Sequence, residues 1–204
     1  MSDGQGWHGP LVRSIGLVAI ALASTACNAS PASSTATPMP TSIVDPCTIV
    51  GALSINIMQV SMEPTLEPGD KVVLEPASFY RGEIVVFPAP AAVVGSSEAP
   101  FIKRVIGVAG DLVEIHDDAV WVNSVKLVEP YVYNGQATTP LTDTLSWRVP
   151  QGYLFVLGDH REASQDSRVF GPIAKSAVIG RVAYRCLPAD RRGPISASLA
   201  SLAD

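Results

Sequence analysis

Ile102-Lys103-Arg104-Val105-Ile106-Gly107-Val108-Ala109-Gly110-Asp111-Leu112-Val113-Glu114-Ile115-His116 decides the fold class. Two runs rich in Val, Ile and Leu, Ile102–Gly107 and Leu112–His116, flank a Gly-Asp punctuation. Such runs favour extended backbone, and glycine takes the positive φ of a tight turn at little cost. The segment therefore reads as strand, turn, strand. Glu67-Pro68-Gly69-Asp70 repeats the device ahead of Lys71–Glu75.

Working outward, the same grammar covers the chain from Ile49 onward. Further strands are expected at Leu53–Val60, Ile84–Pro88, Ala119–Val122, Lys126–Leu127, Leu154–Leu157 and Ile179–Tyr184. Helix signals are sparse: one turn is expected at Ser164–Arg168 and a short tail helix at Ile195–Ala203. Ala89–Pro100 and Gly135–Leu145 read as loops. Many short, closely spaced strands predict a mainly β fold, a folded-over sheet or partly open barrel, with a smaller β region at about 115–150.

Length and charge narrow the function. A chain of 204 residues suits one catalytic domain with appendages. Net charge is −5 and no Lys/Arg run is present, so nucleic-acid binding has no electrostatic footprint.

The N-terminus reads as a targeting segment. Arg13 precedes an uncharged run whose apolar core is Ile15–Ala23, short for a membrane span and suited to an export signal. It ends in Ser24-Thr25-Ala26-Cys27, which resembles a lipoprotein cleavage box with Cys27 as the lipidated residue. Ordinary cleavage after Ala26 and an uncleaved signal anchor are the alternatives. Asn28–Pro46, rich in Ser, Thr, Pro and Ala, reads as a stalk. The expected organisation is a signal or anchor at 1–27, a stalk at 28–46, a catalytic domain at 47–188 and a tail at 189–204.

Cys47 and Cys186 stand at the two ends of the folded region. A bridge between them would close a loop of about 140 residues and contribute up to about 4–5 kcal/mol in the chain-entropy model. The alternative is two unrelated thiols.

Three segments carry chemistry. Ser61 lies in Gln59-Val60-Ser61-Met62-Glu63-Pro64-Thr65-Leu66, where Pro64 stops a strand from continuing. A serine at such a junction can turn its hydroxyl and its N–H toward one point. Lys103 is flanked by apolar residues, and burial would lower its pKa toward that of a general base. Arg104 then faces the opposite side of the strand. The third segment, Gly158-Asp159-His160-Arg161-Glu162-Ala163-Ser164-Gln165-Asp166-Ser167-Arg168, packs charges and hydroxyls behind an apolar strand. Each segment alone has a plainer reading: a turn serine, an edge lysine, a solvated loop. No metal or cofactor is expected, since Asp159, His160 and Asp166 have no supporting His or Cys cluster.

Taken together, Ser61–Leu66, Arg81–Phe87, Lys103–Asp111 and Gly158–Arg168 resemble bacterial type I signal peptidases, serine–lysine peptidases that remove signal peptides from exported proteins. The resemblance implies an antiparallel folded sheet, Ser61 as nucleophile, Lys103 as base and Ser164 as the hydroxyl orienting the amine. It implies structural ion pairs Asp159–Arg104 and Asp166–Arg168. It also implies shallow pockets for small residues lined by Met62, Leu66, Phe101 and Ile102, with cleavage of the Ala-x-Ala type. Where some members have a second oxyanion serine, this chain has Gln59, whose amide could donate instead. His160 reads as a loop support. Implied partners are signal peptides of secreted preproteins, the membrane surface and the secretion machinery, for a monomer held on the outer face of a bacterial cytoplasmic membrane. The rival expectations are a relative with a narrow substrate range and an inactive, tethered signal-peptide binder.

Overall fold

The computed structural model describes residues 44–49, 51–91, 93 and 99–197. In chain order the strands are β1 (Ser54–Asn56), β2 (Lys71–Glu75), β3 (Ile84–Phe87), β4 (Phe101–Val108), β5 (Leu112–His116), β6 (Ala119–Val122), β7 (Val125–Lys126), β8 (Ser146–Arg148), β9 (Tyr153–Leu157), β10 (Ile173–Ala174), β11 (Gly180–Leu187) and β12 (Gly193–Pro194). One helical turn, α1, spans Ser167–Phe170.

The larger sheet runs β1-β2-β11-β3-β4-β9-β10, with β12 added to β11, and every pairing is antiparallel. The quoted stretch supplies its centre: β4 is buried over seven of its eight residues, as a strand covered on both faces must be. Ladder irregularities at Val105/Gly107, Val182/Tyr184 and Arg185/Leu187 bend and twist the sheet. The curl encloses Ile57, Met62, Leu66, Val72, Leu74, Ile84, Val86, Ile102 and Val182 in one apolar cluster. A second cluster includes Phe87, Phe101, Val105 and Val156.

The smaller sheet, β7-β6-β5-β8, continues directly from β4. Its two hairpins turn on Asp117-Asp118 and Asn123-Ser124, all four at positive φ, as two-residue turns matching strand twist require. Val113, Ile115, Val120 and Val122 pack with Ile106, Phe155 and Leu157 of the larger sheet. Gly107 permits this approach: a Cβ there would lie 2.6 Å from Val113 Cγ2.

The fold class and most strands follow the sequence reading, and the exceptions have physical reasons. The expected strand Leu53–Val60 is paired only over Ser54–Asn56, because Ile57 bonds to the Gly69-Asp70 turn instead. Strand β8 forms where a loop was expected to end, because Trp147 pairs with Val113 and packs on Phe155. The turn expected at Ser164–Arg168 is split into a 3-10 turn at Arg161–Ala163 and α1. No helix begins at Ile195 within the described residues; Ile195 donates its N–H to Ala183 O and follows β12. The rest of that expected helix, the targeting segment and Cys27 lie outside the described residues.

The folded unit also extends past 47–188 at both ends. Asp45 caps a 3-10 turn at Pro46–Thr48 and pairs with Arg192. Cys47 and Cys186 are bonded, with Cα atoms 5.7 Å apart.

Candidate active site

Ser61 begins the turn that follows residues 57–60. Glu63 N–H bonds to Val60 O at 3.0 Å and Leu66 N–H to Met62 O at 2.8 Å, which holds the turn closed. β4 carries Lys103 opposite Val85 of β3, and the whole side chain is 2% exposed. Its Nζ lies 2.8 Å from Ser61 Oγ, 3.0 Å from Ile102 O and 5.1 Å from the centre of the Phe101 ring. Burial pushes the amine down from 10.5 to about 8; the charges of Asp166 and Asp159 oppose this and that of Arg168 adds to it. A buried amine of this kind, touching a serine hydroxyl, is able to accept its proton near neutral pH.

Arg104, one residue on, faces the other side. It forms a two-pronged pair with Asp159, Nε to Oδ1 at 2.8 Å and Nη2 to Oδ2 at 2.6 Å. It also donates to Gly82 O and lies 4.0 Å over the Tyr131 ring. Arg168 grips Asp166 in the same manner, with both bonds at 2.8 Å. These pairs join the loop after β9 to the strands and to itself, so charges that burial would disfavour are compensated.

The structure brings Ser61, Lys103, Asp159, Arg104, Asp166 and Arg168 together. Ser164 is buried nearby, with a hydroxyl that has no hydrogen-bond partner. Gln59 lines an open cleft of about 390 Å³ with Met58, Val60, Ser61, Phe101, Lys103, Ala163 and Gln165.

Of the four expected pocket residues, three belong to the buried core. Met62, Leu66 and Ile102 are 1%, 0% and 5% exposed and pack into the enclosed apolar cluster, because the curl of the sheet turns them inward. Only Phe101 of the four lines the cleft, and the apolar rim is supplied by Met58 and Val60, both exposed.

Thr65, Glu129, Gly158 and Arg161 carry no individual role in the sequence reading, and His160 is read there as a loop support. Thr65 donates to Asp159 Oδ2 at 2.5 Å and receives Arg104 Nη2 at 3.3 Å. Arg161 pairs with Glu129 at 2.7 and 3.0 Å and donates to Gly158 O. Arg161 sits inside a quoted segment, so seeking an acid for each of its arginines was a usable signal; Glu129, 32 positions away, carries no local mark. His160 donates its N–H to Ser61 O at 3.1 Å, stacks on Tyr133 and sets Nδ1 3.1 Å from Glu63. Gly158 backs the site: a Cβ there would lie 2.3 Å from Ser164 Oγ and 2.5 Å from Ser61 O. Among the described residues no group of three or more His, Cys, Asp or Glu could hold a metal ion.

Comparison with known proteins places this arrangement. The family described as signal peptidase, peptidase S26, matches residues 41–187. The chain belongs to the S26 signal peptidase family. Signal peptidase IB of Staphylococcus aureus is 36% identical over 165 residues, covering 72% of this chain and 79% of that protein. The chloroplastic thylakoidal processing peptidase 1 of Arabidopsis thaliana is 34% identical over 167 residues, covering 70% of this chain and 48% of that protein. A solved signal peptidase I from Enterococcus faecalis V583 is 32% identical, with a TM-score of 0.43, and covers 53% of this chain and 99% of that one. As an S26 signal peptidase, the chain is a serine endopeptidase of the type I class.

Proposed function

We propose that this S26 peptidase removes signal peptides from exported preproteins through a Ser61–Lys103 dyad. The observation that carries the reading is the 2.8 Å contact between Ser61 Oγ and a buried Lys103 amine with its pKa lowered to about 8.

Neutral Lys103 takes the Ser61 proton as Oγ attacks the scissile carbonyl. The ammonium so formed protonates the departing amine, leaving an acyl-enzyme ester on Ser61. Water then attacks the ester, again giving a proton to Lys103, and the serine is regenerated. The Ser61 N–H and the Gln59 amide are the proposed donors to the oxyanion, and Ser164 is proposed to orient the amine once substrate fills the cleft. Asp159–Arg104 and Asp166–Arg168 hold the loop that backs the dyad. The substrate enters extended, adding its backbone beside residues 58–60 and selecting small side chains of the Ala-x-Ala kind.

The proposed setting is the outer face of a bacterial cytoplasmic membrane. Residues 1–27 would serve as signal or anchor, with Cys27 as the lipidation site in one version, and the Ser/Thr/Pro/Ala-rich segment after it as a stalk. The peptidase would work as a monomer, in contact with the bilayer and the secretion machinery. Among the described residues no helix is long and apolar enough to cross a membrane.

The test is cleavage of an Ala-x-Ala preprotein by the full chain in detergent. Cutting after the second Ala is expected, with a loss of about a thousandfold or more in Ser61→Ala and Lys103→Ala. Full activity in folded Lys103→Ala would remove the lysine from the mechanism.

A further inference from the structure

The turn that carries Ser61 is held from a direction that the dyad and its ion pairs do not use. Arg185, on β11, donates through Nη2 to the main-chain oxygen of Thr65. Thr65 is the residue whose hydroxyl already bridges Asp159 and Arg104, so its backbone and its side chain are both clamped. Arg185 packs against Asp70: its Nε lies 3.0 Å from Asp70 Oδ2, an ion-pair contact without hydrogen-bond geometry, and Nη1 donates to Arg191 O at 3.4 Å. Asp70 is fully buried, accepts Glu67 N–H at 3.0 Å and also pairs with Arg191. Asp70 thus sets its charge between two guanidiniums, and that of Arg185 reaches on to the turn.

The backbone around Arg185 explains the aim. In the ladder between β11 and β2, Arg185 faces Val72 and Leu187 faces Lys71, so Cys186 is an extra residue with no opposite number. An irregularity of this kind re-aims the neighbouring side chain. Cys186 is also the residue bonded to Cys47. The disulfide therefore pins the irregular residue beside the arginine that grips the nucleophile turn.

We propose that Arg185 is a positioning residue for Ser61, acting through the Thr65 carbonyl, and that the Cys47–Cys186 bond acts on catalysis by holding the irregularity that aims it. The proposal rests on Ser61 being the nucleophile. It links the start of the folded unit to the catalytic turn.

The experiment uses the full chain in detergent with an Ala-x-Ala preprotein, and rates are expressed per folded molecule. Arg185→Met is expected to lower kcat about 10- to 100-fold with KM within about twofold, and Arg185→Lys to recover part of the loss. Cys47→Ser with Cys186→Ser is expected to lower kcat about 3- to 10-fold. Combined with Arg185→Met, it adds little, because both changes release the same contact. Hydrogen exchange of the Glu63 and Leu66 amides, read on the same proteins, should quicken in Arg185→Met and in the serine pair. Unchanged exchange, unchanged kcat in Arg185→Met, or losses that multiply in the combined variant would overturn the proposal. Failure of the parent to cut, or cutting by Ser61→Ala, would instead overturn the dyad, while the exchange measurement still decides whether Arg185 holds the turn.

Discussion

The two faces of β4 bury two cations one residue apart and treat them in opposite ways. On one face Arg104 meets the Asp159 carboxylate with two bonds. On the other, Lys103 meets a hydroxyl and a carbonyl, with no carboxylate in contact among the described residues. Guanidinium keeps its proton under almost any burial, so it can serve as a strut; an ammonium that is desolvated and left without a counter-charge gives up its proton readily. The fold thus uses its paired cation as a strut and leaves Lys103, the proposed base, without a counter-charge in contact.

The largest effect expected is on the paired face. Asp159→Asn leaves Arg104 buried without its counter-charge and should cost about 3–5 kcal/mol in urea unfolding. Replacing both partners, Arg104→Met with Asp159→Leu, should cost clearly less than the single change. A loss equal to or above that of Asp159→Asn would show that the pair is more than a compensated strut.

Gly158 abuts Ser61 and Ser164. Gly158→Ala forces a methyl against Ser164 Oγ and Ser61 O, so a stability loss of about 1–3 kcal/mol is expected, with kcat falling more than tenfold. Calorimetry and turnover on one preparation would separate the two effects.

The unpaired face should respond with the opposite sign. Lys103→Met removes a buried ammonium and should raise stability at pH 7 by on the order of 1–3 kcal/mol while abolishing turnover. Because the folded pKa is lowered to about 8, the cost of burying the charge is fully present below that pH. It is relieved as pH rises toward 10.5, so the advantage of Lys103→Met should shrink across that window. A variant less stable than the parent would end the contrast between the faces.

The smallest effect is a shape. kcat/KM should climb with pH and level off above a midpoint near 8, where neutral Lys103 predominates. A midpoint below about 6 would point to a carboxylate as the base.

The sequence made part of this legible. Lys103 and Arg104 on opposite faces follow from strand alternation, and the Gly-Asp turns from the freedom of glycine. The pairing of Asp159 with Arg104 came from resemblance alone, since nothing local ties positions 55 apart. That Met62, Leu66 and Ile102 join the buried cluster was not legible, because alternation says which side a residue faces, while curl decides how deep that side lies.

What the sequence determined by itself was therefore local: extended runs, tight turns, an apolar setting for one lysine, and a cysteine at each end of the folded unit. Tertiary structure alone decided that Lys103 touches Ser61, that Glu129 meets Arg161, and that Arg185 reaches Thr65. The physical reason is that burial and charge compensation depend on which distant surfaces a bent sheet brings together. Strand periodicity leaves that bend undetermined.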